Sequence, residues 1–321
     1  MILDTSVGSL NMGDEIINNS IRKNWPELYL QNYICKYPTH TPPHSWWQQL
    51  IHGRQIRLYE DMDYKFLCGT NALYTNMIRP YPTWNVHLLN AGMYKNTILL
   101  GIGAGTNSKN VNLYTKALYN KILSHDVIHS TRDEYTKELL EKLGFEAVNT
   151  GCPTIWGLTP DHCKSIPHNK SDNVVFTLTS SHGDKANDRL MIEILLKNYE
   201  KVFFWPQQYS DIYYLQSLNI KGPIVITPNL SAYDKILDGT IDYIGNRLHG
   251  GIRSLQHCNR SIIISIDYRA ENMAKNYSLP VLGREDISEQ LETLINSNFI
   301  TEINGIDWDL INTWKSQFNF Q

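Results

Sequence analysis

The chain alternates short apolar runs with amphipathic stretches over almost all of its 321 residues. The apolar runs are rich in β-branched residues and often end at Gly or Pro, which is typical of strands, whereas the amphipathic stretches have helical spacing. The run at 261–266, Ser-Ile-Ile-Ile-Ser-Ile, is the clearest, and is expected to be a parallel strand buried on both faces. This alternation predicts an α/β fold in which helices cover parallel sheets.

The predicted elements cover most of the chain. The predicted strands lie at 65–69, 97–105, 127–131, 173–179, 201–205, 223–227, 239–244 and 261–266. The predicted helices lie at 15–23, 112–124, 134–143, 189–198, 209–218, 232–237, 252–258, 285–296 and 308–317. Asp133 is expected to cap the third helix, and Gly144 to close it.

A proline-containing stretch at 151–172 lacks periodicity and is interpreted as the crossing between two domains. The predicted domains are residues 1–158 and 159–321, each a doubly wound Rossmann-like half, with a ligand cleft between them. The last helices are expected to pack back across that cleft.

Composition narrows the function classes. The net charge is −3, from 29 basic and 32 acidic residues, so the composition does not indicate a nucleic-acid-binding protein. The five cysteines are scattered and show neither a disulfide framework nor zinc spacing. The start of the chain lacks a secretion signal, and no run approaches the ~18 apolar residues of a membrane span. A cytoplasmic protein is expected, with no metal site.

The segment at 244–251, Ile-Gly-Asn-Arg-Leu-His-Gly-Gly, is the strongest candidate for a site. It leads from a strand-like run into a helix, where ligands bind in open α/β sheets. Arg247 and His249 suit an anion that is held and then protonated, and the two glycines are expected to let a ligand approach the backbone. The alternatives are that His249 is an ordinary cap or solvated side chain and that Arg247 pairs with a neighbouring carboxylate.

The glycine-rich piece Gly101-x-Gly103-x-Gly105 also follows a strand. It lacks the GxGxxG spacing, and no acidic residue ends a second strand at the expected distance, so a dinucleotide site is not predicted. A loop that faces the interdomain cleft is the interpretation we prefer.

Four segments, taken in order, resemble the polysaccharide pyruvyl transferase family. They are Asn-Met-Gly-Asp at 11–14, Ser-Thr-Arg-Asp at 130–133, Arg-Leu-His-Gly at 247–250 and, loosely, Ile-Asp-Tyr-Arg at 266–269. The resemblance extends over roughly residues 6 to 280. No single motif is specific, but four in register are hard to obtain by chance.

The resemblance implies a GT-B-like pair of Rossmann-type domains, an N-terminal one for the acceptor and a C-terminal one for the donor. It implies transfer of the enolpyruvyl group of phosphoenolpyruvate to a sugar of a surface polysaccharide or its precursor, which forms a pyruvate ketal. Neither a metal nor a bound nucleotide cofactor is implied.

In this interpretation the residues that bind phosphoenolpyruvate are Arg132, Arg247, Leu248 and Arg269. The three arginines suit this role because a guanidinium group binds a carboxylate or phosphate through paired hydrogen bonds. Relatives often have lysine at the position of Arg269. His249 is the expected general acid, which protonates the methylene carbon and is kept protonated by the adjacent dianion.

Asp14 is the expected base or acceptor-orienting residue, with a helix cap as its alternative. A second set of polar residues is expected to contact the acceptor sugar: Asn11, His182, Gln207, Gln208 and Asp211. Gln207, Gln208 and Asp211 have helix capping as an alternative role.

Departures from the family pattern leave the acceptor sugar open. Gly69-Thr70-Asn71 stands for a glycine cluster, Cys152 for a usual Asp, and no arginine lies near Thr179. The competing functions are a GT-B-type glycosyltransferase that uses a nucleotide sugar and a non-catalytic glycan-binding relative. Whether the acceptor is lipid-linked and what the oligomeric state is are further open points. A peripheral membrane contact at the inner face through Trp46 and Trp47 is also open, and a core or interface role is the preferred alternative for these two residues.

Overall fold

A computed structural model describes residues 1–51, 53–106, 108 and 110–320, without the side chains of Gln55, Tyr268 and Arg269. The chain divides into two compact units. Unit 1 comprises Met1–Ser9, Ile17–Trp156 and Asp307–Gln321, and unit 2 comprises Leu10–Ile16 and Gly157–Ile306. The predicted α/β class with parallel sheets is confirmed, whereas the interdomain cleft stays a prediction.

The strands are short, and every pairing between them is parallel. In chain order they are Ile2–Asp4 (β1), Lys36–Pro38 (β2), Lys65–Cys68 (β3), Asn71–Leu73 (β4), Thr97–Leu100 (β5), Gly103–Ala104 (β6), His129–Thr131 (β7), Ala147–Asn149 (β8), Asn173–Thr177 (β9), Lys201–Phe204 (β10), Ile224–Val225 (β11), Asp242–Gly245 (β12), Ser261–Ser265 (β13) and Val281–Gly283 (β14).

Helices connect most of these strands. In chain order they are Met12–Asn24 (α1), Pro26–Leu30 (α2), Trp46–Leu50 (α3), Arg54–Glu60 (α4), Leu113–Ile122 (α5), Glu134–Lys142 (α6), Pro160–Lys164 (α7), Lys185–Asn198 (α8), Ser210–Ser217 (α9), Leu230–Leu237 (α10), Leu248–Gln256 (α11), Tyr268–Tyr277 (α12), Glu292–Asn296 (α13) and Trp308–Ser316 (α14). A π-helical turn, Ile287–Leu291, precedes α13.

The main sheet of unit 1 has the order β2-β1-β3-β5. An isolated bridge joins Thr97 of β5 to Leu123, directly after α5. A second bridge joins Ile102, which follows β5, to Thr131 of β7. The predicted strand at 97–105 is two strands, β5 and β6, because Gly101 between them has a φ of 61° and turns the backbone. Asp133 caps α6 through the backbone N–H of Thr136 at 2.8 Å, as predicted.

His129 lies in the core of unit 1. Its Nδ1 accepts from the backbone N–H of Leu99 at 3.1 Å, so its Nε2 carries the hydrogen donated to the carbonyl of Ser124 at 3.0 Å. Burial lowers the pKa of His129 to about 4. Both ring nitrogens are occupied by the backbone, so this histidine has a structural role.

The sheet of unit 2 has the order β11-β10-β9-β12-β13-β14. Numbered within the unit this is 3-2-1-4-5-6, the strand order of the Rossmann dinucleotide-binding fold. All five residues of β13 are buried, as the apolar run predicted. The order of the strands reverses between β9 and β12, and it is at such a switch point that these folds bind ligands.

The compact units divide at 156/157 instead of the predicted 158/159, and they differ from the prediction in two further segments. Residues 307–321 belong to unit 1, where the Trp314 indole donates to the carbonyl of Ile128 at 2.7 Å and its ring packs on Trp25. Residues 10–16 belong to unit 2, where the Met12 N–H donates to the carbonyl of Gln207 at 3.1 Å. Neither pairing is visible as local periodicity.

Candidate active site

The candidate site of unit 2 is built around the start of α11. Strand β12 ends at Gly245, and Arg247 has extended backbone geometry as the residue before the helix. The carboxyl end of β12 lies beside that of β9, at the switch point of the sheet. The backbone N–H groups of the first turn of α11 give this position a positive potential.

Two buried hydroxyls fix the backbone of Arg247. Its N–H donates to Thr177 Oγ1 at 3.2 Å, and its carbonyl accepts from the Tyr243 hydroxyl at 2.8 Å. The Tyr243 hydrogen is used in this way, so the 2.6 Å contact between the two hydroxyls has Thr177 as donor. Burial raises the pKa of Tyr243, which keeps it a donor.

The guanidinium of Arg247 is also held in place. Its Nη2 donates to both carboxylate oxygens of Asp211 at 2.6 Å and to Gln208 Oε1 at 3.1 Å. Its Nε donates to the carbonyl of Leu178 at 3.0 Å. Pairing with a neighbouring carboxylate was the alternative role for this residue, and the structure contains that pair. Nη1 makes no hydrogen bond within the described residues.

Asp211 has no exposed surface. Besides Arg247, its oxygens accept from the backbone N–H groups of Ser180 and Gln208, both at 3.0 Å. With its oxygens engaged in this way, Asp211 holds Arg247 and the ends of β9 and β10 together. Asp211 is thus the buried partner of Arg247, while its expected contact with an acceptor sugar stays a prediction.

The Asn-Met-Gly-Asp motif lies against His249 within unit 2. Asn11 Oδ1 accepts from Gly13 N–H at 3.0 Å and from Gln207 Nε2 at 2.8 Å. A Cβ on Gly13 would lie 3.3 Å from His249 Nδ1 and 2.9 Å from Gln207 Nε2. A Cβ at position 13 would therefore crowd the side chains of Asn11, Gln207 and His249, which meet around this glycine.

The other predicted residues differ in how closely they join this cluster. Asp14 is buried, and its N–H donates to the carbonyl of Asn11 at 3.1 Å. Leu248 is the half-buried first residue of α11. His182 is exposed and contacts Ser181 Oγ at 3.1 Å. The side chain of Arg269 lies outside the described residues, although its backbone is part of α12.

Of the two glycines after His249, Gly251 has a packing role. Both are buried. A Cβ on Gly251 would lie 2.5 Å from Ile263 Cγ1 and 2.8 Å from Tyr243 Cε1, whereas one on Gly250 would lie 3.3 Å from the Tyr243 hydroxyl. Gly251 lets α11 approach the sheet closely, and the expectation that the two glycines let a ligand approach the backbone stays a prediction.

Arg132 belongs to unit 1, at the carboxyl end of β7. Its N–H donates to the carbonyl of Ile102 at 3.0 Å, and its Nη2 donates to Asn71 Oδ1. Asp133 Oδ2 lies 3.7 Å from its Nε. A Cβ on Gly103 would collide with both the Arg132 guanidinium and Asn71, so the middle glycine of Gly101-x-Gly103-x-Gly105 makes room for this pair.

Thr70 precedes Asn71 with a φ of 63°, a left-handed conformation that is unfavourable for a β-branched residue. Its carbonyl accepts from the N–H of Gly103 at 2.9 Å. The strained turn therefore lies directly beside the partner of Arg132, and strain of this kind concentrates at ligand sites.

Sequence reasoning did not identify several residues of these clusters. Asn71, Thr177 and Tyr243 position the two arginines, as described above. The buried amide oxygens Asn246 Oδ1 and Gln207 Oε1 have no hydrogen-bond partner among the described residues. Position at a strand end is the signal that would have identified Asn71 and Asn246, since each lies two residues after a predicted strand.

Within the described part of the chain, no group of three or more His, Cys, Asp or Glu side chains has the arrangement of a metal site. Nor does any helix there combine the length and apolarity that a bilayer crossing needs.

The fold and the site define an α/β protein with an arginine and a histidine at a Rossmann switch point. The sequence model described as polysaccharide pyruvyl transferase matches residues 11–268. The chain therefore belongs to the polysaccharide pyruvyl transferase family, a family of transferases, as the four motifs indicated. The matched segment contains each predicted site residue except Arg269.

Among solved structures, this chain is similar in fold to S. aureus MnaA in its co-structure with UDP. The TM-score is 0.50 at 10% identity, over 94% of this chain and 86% of that chain. A protein from Pyrococcus horikoshii OT3, PH0766, has a TM-score of 0.22 at 12% identity, over 75% of this chain and 54% of that one. No curated protein matches in sequence.

Proposed function

We propose that this protein transfers the enolpyruvyl group of phosphoenolpyruvate to a sugar of a surface polysaccharide or its precursor and forms a pyruvate ketal. The observation that carries the proposal is the pairing of a fixed guanidinium with an imidazole on the first turn of α11. Arg247 is held by Asp211 at 2.6 Å, and His249 lies two residues further on. Family membership supplies the reaction class.

The donor is a small trianion at most, with a carboxylate and a phosphate. Nη1 of Arg247 and the backbone N–H groups at the start of α11 suit one of these anionic groups. Because Asp211 already balances the charge of Arg247, the helix terminus is an essential part of this anion site. Arg132, Leu248 and Arg269 complete the proposed set of donor-binding residues.

In the proposed reaction His249 gives a proton to the methylene carbon of phosphoenolpyruvate, and positive charge develops at the adjacent carbon. A sugar hydroxyl adds to that carbon and loses its proton to Asp14. The carbon–oxygen bond to phosphate then breaks, and a second hydroxyl of the sugar closes the ketal as its proton leaves with the phosphate. Nδ1 of His249 lies against Gly13, so Nε2 is the nitrogen proposed to donate.

The acceptor sugar is proposed to lie near the amide oxygens of Gln207 and Asn246. Both are buried, and both lack a partner among the described residues. A sugar hydroxyl is a donor and would satisfy either oxygen, and a buried acceptor without a partner costs about 1–3 kcal/mol. Asn11, Gln208 and His182 are the further residues proposed for acceptor recognition.

Thermal-shift binding tests the donor. Phosphoenolpyruvate is expected to raise the Tm of the intact chain, because a ligand that binds only the folded state stabilises it. A panel of nucleotide sugars is expected to have no effect. The opposite pattern would reject the proposal in favour of a glycosyltransferase.

The His249→Gln variant tests the acid. It is expected to retain the phosphoenolpyruvate-induced Tm shift while phosphate release in the presence of acceptor falls roughly 10²–10⁴-fold. His168→Gln, at an exposed histidine remote in sequence from the motif, is the matched control and should behave as wild type. Near-normal phosphate release by His249→Gln would show that His249 is not the acid.

A further inference from the structure

A second arginine lies at the carboxyl end of the sheet of unit 2. Arg284 directly follows strand β14, and its side chain is 15% exposed. Its Nη1 donates to the carbonyl of His182 at 2.8 Å, and its Nη2 donates to Asp188 Oδ1 at 3.4 Å. One guanidinium therefore connects the end of β14 to two segments that follow β9.

The first of these segments is a short 3-10 turn, Ser180–His182. The first residue of the turn donates its backbone N–H to Asp211 Oδ1 at 3.0 Å, and Asp211 is the carboxylate that pairs with Arg247. Arg284 binds the carbonyl at the other end of the same turn. Movement of the turn would therefore displace a hydrogen-bond donor of Asp211.

The second segment is the first turn of α8, which contains Asp188. This carboxylate has no exposed surface. Its Oδ2 accepts from the Tyr214 hydroxyl at 2.6 Å and from the Asp184 N–H at 3.1 Å. Its Oδ1 accepts from Asn246 Nδ2 at 3.3 Å, and Asn246 directly precedes Arg247 in the chain. Asp188 therefore holds the residue next to Arg247.

Asp188 also sets the orientation of the Asn246 amide. Because Nδ2 of the amide faces the carboxylate, Oδ1 faces away from it. This Oδ1 is the buried acceptor that has no partner among the described residues. The oxygen proposed for the acceptor sugar is thus oriented by the same carboxylate that Arg284 contacts.

We propose that Arg284 is a positioning residue for Arg247. It acts through the 3-10 turn and Asp211 on one side, and through Asp188 on the other. Arg284 lies outside residues 11–268, the segment that the family model matches. The role rests on the proposed function, in which Arg247 binds the donor, and Arg284 itself does not contact the donor.

Direct binding of the donor anion by Arg284 is the competing role. Asp188 already contacts its guanidinium at 3.4 Å. A Cβ on the preceding residue, Gly283, would lie 2.6 Å from Glu285 Oε1 and 2.8 Å from Asp286 Oδ2, so two more carboxylates lie beside the backbone here. Three carboxylates around one guanidinium disfavour a further anion, and charge therefore favours the positioning role.

The positioning role also explains why the residue is an arginine. Nη1 and Nη2 reach a carbonyl and a carboxylate at the same time, in two directions. A lysine has a single nitrogen on a flexible stem, so it supplies the charge without the fixed fork. Lysine at position 284 would therefore balance Asp188 but would not hold the 3-10 turn as well.

Hydrogen–deuterium exchange of the intact chain tests the positioning without any ligand. In Arg284→Gln the backbone N–H groups of Ser180 and Arg247 are expected to exchange roughly tenfold faster than in wild type, because the contacts that limit their opening are weaker. The amides of Ser261–Ser265, in the fully buried β13, should keep their protection and establish that the variant is folded. Arg189→Gln is the matched control and should exchange as wild type, since Arg189 pairs on the surface of α8 with a half-exposed glutamate.

Titration of the Tm with phosphoenolpyruvate gives a second readout. Arg284→Gln is expected to need roughly tenfold more phosphoenolpyruvate for the same Tm shift. Arg284→Lys should have a Tm close to wild type without ligand and the same increased need for phosphoenolpyruvate. A residue that only balanced the charge of Asp188 would be replaced by lysine without any change in phosphoenolpyruvate binding.

Two results would overturn the role of Arg284. One is equal exchange at Ser180 and Arg247 in Arg284→Gln and in Arg189→Gln. The other is a wild-type phosphoenolpyruvate response in Arg284→Lys. If wild type itself does not respond to phosphoenolpyruvate, the proposed donor is rejected, and the exchange experiment alone then decides whether Arg284 positions Arg247.

Discussion

Replacing Asp211 with asparagine leaves Arg247 without the negative charge that balances it. Asp211 is completely buried and the Arg247 side chain is 9% exposed, so water cannot substitute for the lost carboxylate. Removal of one partner from a buried pair costs about 3–5 kcal/mol. The amide NH₂ of asparagine would in addition face an N–H donor, either of Ser180 or of Gln208.

Urea unfolding of the intact chain, followed by circular dichroism and fluorescence, measures this loss. A loss of this size corresponds to a fall in Tm of roughly 6–20 °C for a unit of this length. Asp161→Asn is the control, because Asp161 pairs with Lys164 on the surface, where both side chains are more than three quarters exposed. That variant should unfold like wild type.

A double-mutant cycle with Arg247→Met isolates the pair. The combined loss of the two single variants is expected to exceed that of the double variant by about 1–3 kcal/mol, since each single variant leaves a buried group without its partner. Additive losses, or a loss below about 1 kcal/mol for Asp211→Asn, would show that the pair does not hold the site together. The cycle also bears on donor-binding experiments. Weaker phosphoenolpyruvate binding by an Arg247 variant would combine the loss of the direct contact with any loosening of the segments that the Arg247–Asp211 pair holds.

Three further predictions concern the framework of the two units. Burial lowers the pKa of His129 to about 4 in the folded state, below the ordinary value of 6.5. The free energy of unfolding is therefore expected to fall by roughly 3 kcal/mol as the pH drops from above 6.5 toward 4. Urea unfolding across that pH range should show a smaller fall in the His129→Gln variant. Gly251→Ala is expected to destabilise by about 1–3 kcal/mol through overpacking against Ile263, whereas Gly250→Ala should be near neutral; equal Tm values for the two variants would contradict the packing argument. Thr70→Gly should raise the Tm by relieving about 1 kcal/mol of left-handed strain, and a lower Tm would show that the threonine side chain stabilises the turn.

The sequence pattern predicted the elements of unit 2 better than those of unit 1. Strands β9, β10 and β13 contain four or five residues each and lie within predicted runs, and β12 extends one residue beyond its run. Strands β1, β2 and β8 contain three residues each and were not predicted, because so short a segment has no measurable alternation. Their place in the sheet depends on pairing with strands that are distant in sequence. In β1, for example, Ile2 pairs with Lys36 of β2 on one side and with Phe66 of β3 on the other.

Prediction of the site was limited by partners distant in sequence. The strand-to-helix transition located Arg247 and His249, since backbone geometry at such a transition is locally encoded. It did not show that Asp211 neutralises Arg247, because that contact joins residues 36 positions apart. The same limit applies to Arg132, whose partner Asn71 lies 61 positions away and was noted only as part of a reduced glycine cluster.

The position of Gly13 changes how the N-terminal motif is understood. A helix-opening Asn-x-Gly-Asp would ordinarily be explained by capping alone, and Asn11 does form a local turn with the Gly13 N–H. Capping, however, does not require glycine at position 13, whereas a Cβ there would lie 2.9 Å from Gln207 Nε2 and 3.3 Å from His249 Nδ1 and would displace these side chains. Because Asn11, Gly13, Gln207 and His249 all belong to unit 2, the N-terminal motif and the Arg-Leu-His motif form one cluster. Substitution at position 13 is therefore expected to disturb the imidazole of His249 before it disturbs α1.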